Sequence, residues 1–188
     1  MPKGYFSTFL KQASRSELLH EATSAARLFT GVANKLDGED KPKAVVNSKS
    51  LSIGQMYLFI YDAKWKEKLS YWDMHPLIFP IGISGDRFMG INMHYLPIGA
   101  RVRLMDALYD FSTGSPDKDK LAISYGILKS ASKYKYFKPC VHVYLNHYVR
   151  STFMTIPSAQ WKKALLLPTQ KFTGPHAGRV YSDSVSKY

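Results

Sequence analysis

The chain has 188 residues, 45% of them hydrophobic, a single cysteine and a formal net charge of +12 at pH 7. Such a length suits one domain of ordinary size with attached segments, burying roughly 70% of the surface its unfolded chain exposes. The lone cysteine excludes an internal disulfide and a thiolate zinc cluster, and no apolar run approaches the ~18 residues of a membrane span.

The charge is unevenly placed. Residues 1–50 carry eight basic and five acidic side chains, residues 51–117 six and seven, and residues 118–188 twelve and two. The excess therefore sits in the last third, which implies an anionic partner there: nucleic acid, an acidic protein surface or a membrane face. A solvated basic surface without a dedicated partner is the plainer alternative. The opening MPKGYFSTFLKQASRSE lacks the sustained apolar stretch of a signal peptide, and lone Cys140 fits a reducing compartment.

Ser16 to Leu36 reads as an amphipathic helix. Ser16 is a suitable N-cap, and Glu17 and Glu21 sit in the early turns where they favour the helix dipole. Leu18, Ala22, Ala25, Phe29, Val32 and Leu36 line one side. The polar LDGEDKPKAVVNSKS that follows reads as a linker. A helix on a linker must bury its stripe against something else, so these six residues form a candidate docking arm.

The stretch from Gly54 to Pro97 is the most patterned part of the chain. Met56, Leu58 and Ile60 alternate with Tyr57, Phe59 and Tyr61, which predicts a strand covered on both faces. YDAKWKEKLSYWD is a polar, hairpin-like loop carrying Trp65, Tyr71 and Trp72. Leu77 to Ile83 reads as a second strand, with Pro76 and Pro80 marking edges or bends. GISGDR is a turn, and Phe88 to His94 a third strand in which Gly90 marks a bulge or close backbone approach. The aromatic residues of this stretch are expected in the core.

Pro97 opens a helix running to about Phe111, with Arg101 and Arg103 beside its apolar face. Further helices are expected at Leu121–Ser132 and Pro139–Tyr148. RSTFMTI reads as a returning strand, and Pro157 opens a short helix through Trp161 to Leu166. Beyond Pro168 the chain is rich in Gly, Pro and Ser and is expected to be irregular. The fold class is thus α+β: a small curved antiparallel β-sheet or partial barrel with packed helices. The expected organisation is a helical arm and linker (1–50), a structural body (51–167) and an extended tail (168–188).

No motif defines a reaction, and no cofactor or metal site is expected. The histidines at 20, 75, 94, 142, 147 and 176 lack metal-ligand spacing and read as structural. Asp62, Asp73 and Asp86 lie in or near turns, without the further acid or lysine in register that a nuclease site needs. Cys140 and His142 have no third group to orient them. The strongest candidate for anion contact is KSASKYKYFKPCVHVYLNHYVR, where Lys129, Lys133, Lys135, Lys138 and Arg150 interleave with aromatic rings. Lys162 and Lys163 extend the same basic third.

GQMYLFIYDAKWKEKLSYWDMHPLIFPI, GINMHYLP and ARVRLMDALYD, continuing through KPCVHVYLNHYVRSTFMTIPSAQWKKALLLPTQKF, resemble small late structural proteins of T-even-like contractile-tailed bacteriophages. The resemblance covers most of residues 54–172. It implies a non-enzymatic virion protein joining neighbouring subunits in a tail baseplate or neck, assembled in the host cytoplasm. The alternative it implies is a sequence-independent DNA-binding protein that protects or holds the ends of packaged DNA. Expected partners are other virion structural proteins, and DNA through the basic C-terminal third.

Overall fold

The computed structural model describes residues 4, 8, 20, 50–112, 126, 129–130, 137–157, 160–166 and 171–186. Five strands form one antiparallel sheet: β1 (Met56–Leu58), β2 (Leu77–Ser84), β3 (Arg87–Asn92), β4 (Val141–Leu145) and β5 (Met154–Ile156), in the order β4-β3-β2-β1-β5. Helix α1 spans Ile98–Ser112, α2 Trp161–Leu166 and α3 Ala177–Ser186.

The β2–β3 hairpin is set by local sequence. Ser84 pairs with Arg87 across a two-residue turn, and Gly85 supplies the positive φ of 56° that the turn requires. Pro80 cannot donate to a ladder, and the pairing of β2 with β1 involves only Leu77 and Ile78, short of it. On the other side the register shifts between Pro80 and Gly82, the bend anticipated from the proline. Opposite Pro80 lies Gly90, where a Cβ would come within 2.9 Å of Ile78 Cδ1 and 3.1 Å of the Phe79 carbonyl oxygen.

Side-chain alternation sorts the sheet into two buried faces. Met56, Leu58, Leu77, Phe79 and Ile91 point to a core closed by Val102 and Met105 of α1, Trp161 and Ala164 of α2 and Val180 of α3. Tyr57, Phe59, Ile78, Phe88 and Tyr144 point the other way. There Phe88 stacks on Tyr144 at 5.3 Å, while Phe59 meets Tyr144 edge-on at 5.4 Å and Phe153 at 5.2 Å. Phe59, Phe79 and Phe88 are at most 1% exposed, and each such burial stabilises by about 1.5–3 kcal/mol. After β1, Tyr61 bridges to Val149 and Arg150 N–H reaches the Ile60 carbonyl at 2.8 Å, so the chain following β4 curls back toward β1. The result is the α+β curved antiparallel sheet that the sequence implies.

Several elements differ from expectation. The segment 139–148 is not a helix: β4 occupies its centre, flanked by 3-10 turns at Lys138–Cys140 and Asn146–Tyr148. Val141 and Val143 are β-branched, and the free edge of β3 offers a full ladder from Arg87↔Leu145 to Ile91↔Val141. The first strand is three residues long rather than six, and the third ends at Asn92. There Asn92 Oδ1 accepts the His94 N–H at 2.9 Å and starts a 3-10 turn, Met93–Tyr95. The region after Pro168 is not wholly irregular, since α3 lies within it and buries Val180 completely. The expected helices at Pro97 and before Leu166 are present. The arm helix lies outside the described residues except at His20, which is helical, and Leu121–Ser132 lies outside them except at Gly126, Lys129 and Ser130, which are also helical.

Candidate nucleic-acid interface

The loop between β1 and β2 leaves the sheet at Tyr61 and returns at Asp73. Its tip is held by backbone bonds from Lys68 and Leu69 N–H to the Trp65 carbonyl, at 2.8 and 3.0 Å. This turn projects Trp65 into solvent at 56% exposure and Leu69 at 45%. The ammonium groups of Lys64 and Lys68 lie 4.9 and 5.3 Å from the Trp65 ring centroid. Lys66 pairs with Asp62 at 3.1 Å, an exposed i,i+4 pair worth a few tenths of a kcal/mol.

Asp73 anchors the far end of the loop and is itself buried. Its Oδ2 accepts from Asn92 Nδ2 at 3.0 Å and faces His94 Nδ1 at 2.6 Å, while Oδ1 accepts His75 N–H at 3.0 Å. Burial pushes the carboxyl up, but His94, Asn92 and the His75 amide outweigh it and hold Asp73 below the ordinary carboxylate value. Burial pulls His94 down, with the Arg101 cation acting in the same sense, against the raising influence of Asp73. A neutral imidazole donating Nδ1–H to an ionised carboxylate satisfies both groups. Asn92 Nδ2 also reaches the Tyr144 hydroxyl at 3.1 Å. Arg101, only 2% exposed, donates to the Leu96 carbonyl at 2.8 Å and to the Tyr181 hydroxyl at 2.7 Å, tying α1 to α3.

The segment before α3 is stitched to the loop. Met74 N–H meets the Lys171 carbonyl at 2.9 Å, Thr173 N–H meets the Trp72 carbonyl at 3.1 Å, and Asp73 bridges to Phe172. Between the loop, β4 and this segment runs a cleft of about 1310 Å³, larger than the roughly 300–1,000 Å³ of small-molecule pockets. Lys64, Lys68, Lys138 and Arg179 supply its positive charge, and Trp65, Tyr71, Trp72 and Tyr95 its rings. Two acids line it: Asp73 is engaged with His94, and Asp183 lies 3.3 Å from the Tyr71 hydroxyl.

Of the candidate contacts read from sequence, the structure brings Lys138 to the cleft wall, exposed. Lys129 is exposed at a helical position, and Arg150 is exposed beside Asp62 at 3.6 Å and the His147 carbonyl at 3.2 Å. Lys163 is half-buried on α2. Lys133, Lys135 and the side chain of Lys162 lie outside the described residues, as do Leu18, Ala22, Ala25, Phe29, Val32 and Leu36 of the arm. Missed by sequence reading were Lys64, Trp65, Lys68 and Arg179. The signal was present in KWKEK, three lysines around a tryptophan in a polar loop, but Trp65 was counted with the core aromatics. Its exposure corrects that.

The acids considered for catalysis are separately engaged: Asp62 with Lys66, Asp73 with His94, and Asp86 with Arg87 at 3.2 Å. Among the described residues no group of three His, Cys, Asp or Glu is placed to hold a metal ion, and no helix is long and apolar enough to cross a membrane. Cys140 is wholly buried, and burial pushes its thiol up to about 12, which removes it as a nucleophile at neutral pH.

Fold and cleft together define an α+β protein with a basic, aromatic cleft beside its curved sheet. The chain belongs to the family of the phage T4 terminal DNA protecting protein, whose family model matches residues 6–186. No curated protein and no solved structure matches the chain.

Proposed function

We propose that this protein binds the ends of linear phage DNA without regard to sequence and shields them from degradation, as a virion-associated component. The family match over residues 6–186 carries this reading and favours it over a joining role in a baseplate or neck. The cleft supports it physically, because lysines and arginines neutralise phosphates independently of sequence while aromatic rings accept any base. Protection by occupation requires no catalysis.

The test is direct. Linear duplex incubated with the purified protein should resist an added exonuclease, and the affinity should fall linearly with salt on logarithmic axes. Degradation at the same rate with saturating protein, together with salt-insensitive binding, would overturn the reading.

A further inference from the structure

We infer that Trp65 is the element that makes the binding end-selective, by stacking on the terminal base pair while neighbouring lysines hold the last phosphates. This deepens the DNA-end reading and rests on it. In a continuous duplex every base pair is covered on both faces by its neighbours, so an aromatic ring finds no base surface to stack on. Only the terminal pair presents an open face. A protruding ring beside cations therefore converts sequence-independent attraction into preference for an end.

The loop meets these requirements. Trp65 is 56% exposed at a tip fixed by two bonds to its own carbonyl, at 2.8 and 3.0 Å. Lys64 and Lys68 hold their ammonium groups over its ring, 4.9 and 5.3 Å from the centroid, on exposed, flexible stems that swing off the ring face as a base stacks and follow a phosphate. The ring stands at the rim of a cleft whose other walls carry Lys138 and Arg179, so a strand leaving the stacked end meets further positive charge. Asp73 fixes the base of the loop through His94 and Asn92.

The experiment uses the full chain and two probes: a blunt linear duplex, and the same duplex ligated into a closed circle in which every base pair is covered on both faces. The unmodified protein should prefer the open duplex at a fixed salt concentration. Trp65→Ala should weaken binding to the open duplex by about 5- to 150-fold and leave the closed one unchanged. Trp65→Phe should retain most of the preference, and Lys64→Ala with Lys68→Ala should weaken both probes alike. An unmodified protein that binds the two probes equally overturns the DNA-end reading itself. If it prefers open ends but Trp65→Ala keeps that preference, end binding stands and the stacking role of Trp65 is overturned. An unchanged thermal transition in Trp65→Ala establishes that the variant is folded.

Discussion

His94 Nδ1 and Asp73 Oδ2 approach to 2.6 Å with side chains 0% and 1% exposed, making this contact a polar joint inside an aromatic core. Asp73 belongs to the end of the cleft loop and His94 to the turn after β3. The Lys171 amide comes within 3.4 Å of the same carboxylate from the C-terminal side. One side chain thus registers three distant parts of the chain, and removing it affects all of them.

Asp73→Ala is expected to cost about 3–5 kcal/mol, because it strands the buried donors of Asn92, His94 and His75. Asp73→Asn should cost less, since its amide oxygen still accepts one of them. Urea unfolding followed by fluorescence measures both, as a fall in midpoint.

The same pair sets the acid limit of stability. The folded-state pKa of His94 is lowered, so the unfolded chain binds a proton at this site first, and stability falls as pH drops below about 6.5. The Asp73 pKa is also lowered, adding a second loss as pH falls below about 4 toward its folded value. Each group contributes at most about 1.4 kcal/mol per pH unit. Thermal midpoints between pH 8 and 3 should show both phases, and His94→Gln should remove the first.

Gly90→Ala is expected to destabilise by about 1–3 kcal/mol. The added methyl meets Ile78 Cδ1, which can rotate away, and the Phe79 carbonyl oxygen, which is backbone and cannot. Gly178, where a Cβ would meet nothing within 4 Å, is the matched control. Calorimetry should separate the two.

Cys140 should be inert to alkylating reagents at pH 8 in the native protein and react at the rate of unfolding. It is 0% exposed, and its thiol lies at about 12. Because it is the sole cysteine, mass spectrometry reads the extent of reaction without ambiguity.

Each cleft cation that touches phosphate contributes about 0.9 to the slope of log affinity against log salt on duplex DNA. Replacing Lys64, Lys68, Lys138 and Arg179 singly should therefore flatten that slope by about one unit wherever contact is made. Lys129→Ala, away from the cleft lining, serves as comparison. Titration at several salt concentrations gives the slopes.

The strands of the hairpin and the helix after Pro97 were legible because their signals are local: apolar runs, a glycine-bearing turn and a proline. Residues 139–148 were misread because histidines, tyrosines and an asparagine suit either a short helix or a strand. Only the open edge of β3, about fifty residues away in sequence, decides between them. The basic third stands out by charge, and among the described residues the cleft draws Lys138 and Arg179 from it. The other cations come from the loop at residues 64–68, in a segment whose net charge is near zero and which composition passes over. The Asp73–His94 joint joins residues 21 positions apart through a strand and a turn, a relationship no periodicity encodes.

The pairing of β1 with β5 couples the register Met56↔Ile156 to the order of synthesis. As the chain emerges from the ribosome, β1, β2 and β3 can assemble early, but one edge of β1 has no strand to accept it until residues as far as Ile156 have appeared. For that interval the nascent sheet carries an open edge at Met56–Leu58, three residues that are all buried in the finished fold, the kind of template on which two growing chains can pair. Closure across so long a separation is slow, so the yield of soluble protein should depend on translation speed and temperature more than on the stability of the finished fold.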